Sequence, residues 1–186
     1  MGKSETYLTT FDVSAVDYFD LVLDTTVQQE IHVSKDGLKM ACWQASDGPL
    51  SGVPNGISRV VFSEPDLHIP KFLKKFVQKA QSYNEYSEFY PPGSMTGADG
   101  EDMDACSTTS KRKCVVVPHI GANRITITFT EYYTEHEEST FENPKCLVRS
   151  EVFVKVRSPV IGRAMEQWIL KTSRENCLDK ILFEET

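Results

Sequence analysis

A chain of 186 residues with 40% hydrophobic and 10% aromatic content carries enough apolar side chain for one buried core, which excludes disorder throughout. Its formal charge of -7 argues against a tight grip on a nucleic-acid backbone, where counterion release needs clustered Lys and Arg. Five cysteines (Cys42, Cys106, Cys114, Cys146 and Cys177) form an odd set without CxxC or other metal spacing, so reduced thiols are expected, with no disulfide framework, metal or cofactor.

The start of the chain lacks a charged segment followed by a signal-length apolar stretch. Runs such as Val115 to Val117 are far too short to span a bilayer, so a soluble, cytoplasmic protein is expected. Met1-Gly2 with Thr6 satisfies the loose N-myristoylation pattern, which an ordinary exposed start also satisfies. Residues Thr6 to Val13 carry Tyr7, Phe11 and several threonines in a strand-like pattern, and Ser14, with Asp17 three places on, starts a helix. Tyr18, Phe19, Val22 and Leu23 recur at helical spacing, and Val27 and Ile31 continue the apolar face into a second short helix. Asp36-Gly37 is a turn signal, after which Leu38 to Ala45 and Ile57 to Ser63 read as neighbouring strands.

Pro70 opens a predicted amphipathic helix to about Ala80, with Phe72, Leu73, Phe76 and Val77 on one side and Lys71, Lys74, Lys75 and Lys79 around it. Glu85 to Tyr90 return as a strand until Pro91-Pro92-Gly93, and a flexible loop is read over about 91–112. Lys113 to Pro118, Arg124 to Tyr133 and Cys146 to Arg157 alternate well enough to predict an antiparallel meander, with the acidic stretch Glu135 to Asn143 as a hairpin loop. Ile125, Ile127, Phe129 and Tyr133 face one way and Thr126, Thr128 and Thr130 the other. Ser158-Pro159 marks the change to a helix that runs to about Phe183 with Ile161, Ala164, Met165, Trp168, Ile169 and Leu178. No repeat or composition shift divides the chain, so residues 1–186 form one domain. The order predicts an α+β fold in which a curved antiparallel sheet wraps around a long C-terminal helix, with two short helices after the first strand.

That order resembles the START-like superfamily, also called SRPBCC, whose arrangement is a helix-grip. The residues that carry the resemblance are TTFDVSAVDYFDLVLD, the pair KMACWQ and ISRVVF, and LVRSEVFVKVRSPVIGRAMEQWI, where the last strand runs through Ser158-Pro159 into a helix with Gly162 and Glu166. The resemblance spans nearly the whole chain. The predicted helix Pro70 to Ala80 and the long polar loop depart from it.

The resemblance implies a cavity between the sheet and the C-terminal helix for a lipid or other apolar small molecule, bound and transferred inside the cell. Candidate wall residues are Ile125, Ile127, Phe129, Val152, Val154, Met165, Trp168 and Ile169, each of which also fits plain core. Trp43, Arg59, Tyr83, Tyr90, Tyr132 and Tyr133 pair an apolar body with a polar handle suited to a pocket mouth. Arg59 fits an anionic head group, and equally a surface strand position. Lys71, Phe72, Lys74, Lys75 and Phe76 suit transient docking on an anionic membrane, which would make the protein peripheral there; a solvated helix is the plainer reading.

The four histidines, His32, His68, His119 and His136, lack HxxxH or HExxH spacing, and no GxSxG or phosphate-binding loop occurs. Catalysis is therefore the lesser expectation. An enzyme of cyclase, hydratase or isomerase type on the same fold would need an ionisable residue facing inward, with His119 and Glu131 as candidates. A protein-interaction domain with a filled core is the third reading.

Overall fold

The structure is a computed structural model that describes residues 2–34, 40–65, 82–94, 108–119 and 123–179. Strand β1 (Lys3–Phe11) is followed by helices α1 (Ala15–Leu23) and α2 (Thr25–Gln29) and a π-helical turn, Glu30–Ser34. Strands β2 (Met40–Pro49), β3 (Ile57–Pro65), β4 (Tyr83–Tyr90), β5 (Ser110–Pro118), β6 (Ile125–Glu135) and β7 (Cys146–Val156) come next, and α3 (Gly162–Asp179) closes the order. The predicted helix at Pro70 to Ala80 lies outside the described residues.

The strands form one seven-stranded antiparallel sheet in the order β1-β7-β6-β5-β4-β3-β2. Sequential hairpins give β2 to β7 their order. The first strand then pairs with the last, Tyr7 opposite Ser150 and Phe11 opposite Cys146, which leaves β1 and β2 as the edges. This is the expected helix-grip arrangement.

Alternation decides which face is dry. On β7, Cys146, Val148, Ser150, Val152 and Val154 are buried while Arg149 and Phe153 are exposed. Strand β5 begins at Ser110, so the loop read to residue 112 ends earlier than expected. Lys111 and Lys113 point to the outer face, which lets Arg112 turn inward beside Cys114 and Val116 without breaking the alternation.

Two apolar clusters cover the inner face. One packs α1 through Ala15, Phe19 and Val22 on Phe11, Phe89, Tyr133, Cys146 and Val148. Helix α1 is held at its start by Ser14, whose Oγ accepts the Asp17 N–H at 3.1 Å, and by Glu135 of β6, which accepts the Ala15 N–H at 2.7 Å. The other cluster packs Leu170 of α3 on Cys114, Val116, Ile127, Val152 and Val154. Met165 and Trp168 extend it against Ile125, Val156, Ile161 and Ile169.

The two residues singled out at the strand-to-helix junction have physical reasons. A Cβ at Gly162 would meet Val156 O at 2.9 Å, so only glycine lets the helix start this close to the strand end. Buried Glu166 accepts the Val156 N–H at 2.9 Å, which satisfies a strand-end donor from the first turns of α3.

Candidate functional site on the inner face of the sheet

The inward positions of β4, β5 and β6 place charge in the middle of a buried face. Glu85 and Ser87 on β4, Arg112 on β5 and Glu131 on β6 all point to the side that α1 and α3 cover. Arg112 is the hub: Nη1 donates to Glu131 Oε2 at 2.9 Å, Nη2 donates to Glu85 Oε1, and Nε donates to Ser87 Oγ at 3.3 Å. Ser87 Oγ in turn donates to Glu85 Oε1 at 2.8 Å. The Tyr133 hydroxyl donates to Glu131 Oε2 at 2.8 Å, and Ser150 Oγ reaches Glu131 Oε1 at 3.4 Å. Register explains the assembly, because Arg112, Glu131, Ser150 and Tyr7 are successive partners across β5, β6, β7 and β1.

The electrostatics follow from burial and from this pairing. Burial alone would raise the Glu85 carboxyl, but the Arg112 guanidinium and the Ser87 hydroxyl outweigh it and hold the group below its ordinary value of 4.5. The Cys114 thiol and the Tyr133 hydroxyl are pushed well up by burial, with Glu85 and Glu131 respectively adding to the effect. Both stay protonated at neutral pH, Tyr133 as a donor to Glu131.

The cluster sits at the seam between the two apolar clusters. Glu131 lies between Phe129, which packs toward α3, and Tyr133, which packs toward α1. Residues on either side of the seam, such as Phe89 and Val154, are fully buried, yet the Arg112 and Glu85 side chains keep 17% and 18% of their surface accessible. Phe129, Tyr83 and Tyr7 on the same face are also only partly buried. These inner-face side chains are therefore only partly covered by the two helices.

The expected site residues fall in three places. Ile127, Val152 and Val154 are buried under α3, where Ile125, Phe129, Met165, Trp168 and Ile169 join them. Tyr133 lies in the α1 cluster and bonds Glu131. Trp43 and Arg59 are buried on the β2–β3 side: Trp43 stacks on His32 with ring centres 5.5 Å apart. Arg59, only 3% exposed, donates Nε and Nη2 to Asp47 at 2.7 and 2.9 Å and gives its remaining bonds to the Val22 and Leu23 carbonyls at the end of α1. Its donors thus hold the helix end to the sheet. Tyr90 and Tyr132 sit on the outer face, Tyr132 with Lys111 and Arg149 over its ring at 5.1 and 4.3 Å. Of the two conditional acid–base candidates, Glu131 faces inward; His119 is exposed beside Ser82 and Phe62. Lys71, Phe72, Lys74, Lys75 and Phe76 lie outside the described residues. Glu85 and Arg112 were missed by the sequence reading, although the outward parity of Lys111 and Lys113 is a signal for the latter.

No protein-family model and no curated protein matches the sequence. Solved structures do match in fold. Norcoclaurine synthase from Thalictrum flavum, in complex with dopamine and hydroxybenzaldehyde, aligns with a TM-score of 0.52 and 11% identity over 100% of this chain and 89% of that one. A START superfamily protein from Mycobacterium smegmatis aligns with a TM-score of 0.50 and 10% identity over 95% and 92%. A protein from Rhizobium leguminosarum aligns with a TM-score of 0.52 and 8% identity over 98% and 95%. Likeness at such identity speaks for fold alone. The sheet order, the two short helices after β1 and the gripped C-terminal helix together with these neighbours give the chain a START-like, helix-grip fold.

Proposed function

We propose that this chain binds a lipid or other apolar small molecule between the inner sheet face and α3, with the polar end of the molecule at Glu85, Arg112 and Glu131. The observation that carries this reading is the solvent-reached ion cluster between two dry apolar clusters. A wall of Ile127, Phe129, Val154 and Ile169 with a few convergent polar groups is the composition of a small-molecule site. Transfer would follow from docking at an anionic membrane through Lys71, Phe72, Lys74, Lys75 and Phe76, a part of the proposal that rests on sequence pattern. Among the described residues no helix is long and apolar enough to cross a membrane.

A second reading is an enzyme on the same fold. It is favoured by the inward, buried Glu131 with Tyr133 and Arg112 bonded to one of its oxygens, a set able to take or hold a proton. Norcoclaurine synthase, named for its catalysis, is a fold neighbour.

Displacement of a neutral solvatochromic dye tests the binding reading. Phe129→Trp adds bulk at a partly buried position of the inner face and is expected to weaken dye binding at least about tenfold, whereas Phe153→Trp on the outer face leaves it unchanged. Equal loss in both variants, or no dye binding by the unaltered chain, would contradict it. Under the enzyme reading, Glu131→Gln abolishes turnover of the bound molecule while its affinity survives.

A further inference from the structure

The outer face of the sheet, opposite helices α1 and α3, carries a pattern that only the register reveals. Val60, Tyr86, Val115 and Phe153 are four of the nine exposed large apolar side chains among the described residues. They stand in one row: Val60 is opposite Tyr86, Tyr86 is opposite Val115, and Thr128 links Val115 to Phe153. The row ends in Ser46 on β2 and Ser4 on β1, so it crosses all seven strands without a charge. The open face of an antiparallel sheet is ordinarily polar, and a contiguous apolar patch on it marks a surface that a partner covers.

Charge on either side of the row points to a second copy of this chain. On β7, Phe153 has Glu151 two places before it and Lys155 two places after it, all three on the outer face. A two-fold axis laid along the row turns each strand antiparallel over its own copy, so that Phe153 meets Phe153 while Glu151 of each copy meets Lys155 of the other. On β4 and β5 the same operation sets Glu88 over Asn84 and Lys113 over Val117, and no like charges meet. An axis along the strands, between β5 and β6, would instead exchange β4 with β7 and bring Glu88 onto Glu151. Glu151 also has Arg149 of its own strand at 3.3 Å, both partly exposed, so the pairs between copies fix orientation more than affinity. Seven strands at about 4.8 Å and three rows at about 6.8 Å cover about 700 Å² per copy, close to the about 800 Å² per partner of a standard interface.

We propose that this face is the interface of a homodimer, two copies of the chain related by a two-fold axis along the row from Val60 to Phe153. Analytical ultracentrifugation of the full chain from about 1 to about 500 µM tests it. The expected result is a monomer–dimer equilibrium that Val115→Glu, at the middle of the row, weakens at least about tenfold, while Val16→Glu, at an exposed position of α1, leaves it unchanged. Glu151→Lys and Lys155→Glu are each expected to weaken self-association, and an equimolar mixture of the two is expected to regain it as a heterodimer, since each variant then offers the charge the other lacks. Recovery on mixing cannot come from a loss of fold. A monomer throughout this range would overturn the inference and leave the row to strand pairing alone. A dimer indifferent to Val115→Glu, or charge variants that associate no better mixed than alone, would overturn it as well.

Discussion

Arg112 of β5 and Glu131 of β6 are direct register partners, and the 2.9 Å bond between them anchors an ion cluster on the inner face of the sheet. The cluster is held on one side by Glu85 and Ser87 and on the other by Tyr133 and Ser150, so removing its centre leaves two inward carboxylates without the cation they share. Arg112→Ala is expected to destabilise the fold by about 3–5 kcal/mol, measured by urea unfolding. Arg112→Leu combined with Glu85→Leu and Glu131→Leu is expected to lose much less, because no unpaired charge remains. A small effect of Arg112→Ala would show that the cluster is dispensable to the fold.

The same pairing gives stability a pH dependence. Despite burial, Arg112 holds the Glu85 carboxyl below its ordinary 4.5, so the folded state favours the ionised form. Its contribution is complete above the unfolded value near 4.5 and is lost as pH falls through the lower, folded one. Unfolding midpoints of the parent chain should therefore fall more steeply below about pH 4.5 than those of Glu85→Gln, whose profile lacks this component. Parallel profiles would contradict the assignment.

The junction between β7 and α3 makes a second stability prediction. Glu166→Ala leaves the Val156 N–H without its acceptor and is expected to lose about 1–3 kcal/mol, while Glu166→Gln keeps an acceptor and loses less. Gly162→Ala forces Val156 O and the new Cβ apart from 2.9 Å and should destabilise the chain despite alanine's better helix propensity. Urea unfolding of the three variants checks the ranking.

Thiol chemistry reports the same architecture. Cys114 and Cys146 are buried, and burial, followed by the nearby Glu85, pushes the Cys114 thiol well up. Both are expected to resist iodoacetamide at neutral pH in the folded chain and to react once it is unfolded in urea, whereas half-buried Cys42 reacts sooner. Peptide mapping after timed labelling distinguishes the sites.

What was legible in the sequence was periodic and local. Alternating Val148, Val152 and Val154, the helical spacing of Tyr18, Phe19 and Val22, and the Ser14 cap all state their structure within a few residues of themselves. Gly162 and Glu166 could be singled out by resemblance, but their reason, contact with Val156, required the junction geometry. The ion cluster was hidden because it depends on register between strands: Glu85 and Arg112 are 27 residues apart, and Arg112 stood at the end of the stretch read as a loop, just before the strand expected from Lys113. Arg59 was obscured likewise, since its burial depends on pairing with Asp47 across the β2–β3 hairpin and on the carbonyl end of α1.

Native mass spectrometry with solvent extraction, on protein purified from a eukaryotic host beside its Phe129→Trp variant, tests the binding claim most directly. The predicted result is one apolar molecule per unaltered chain, released by solvent and absent from the variant. A bare unaltered chain that also takes up nothing from a panel of lipids would contradict it.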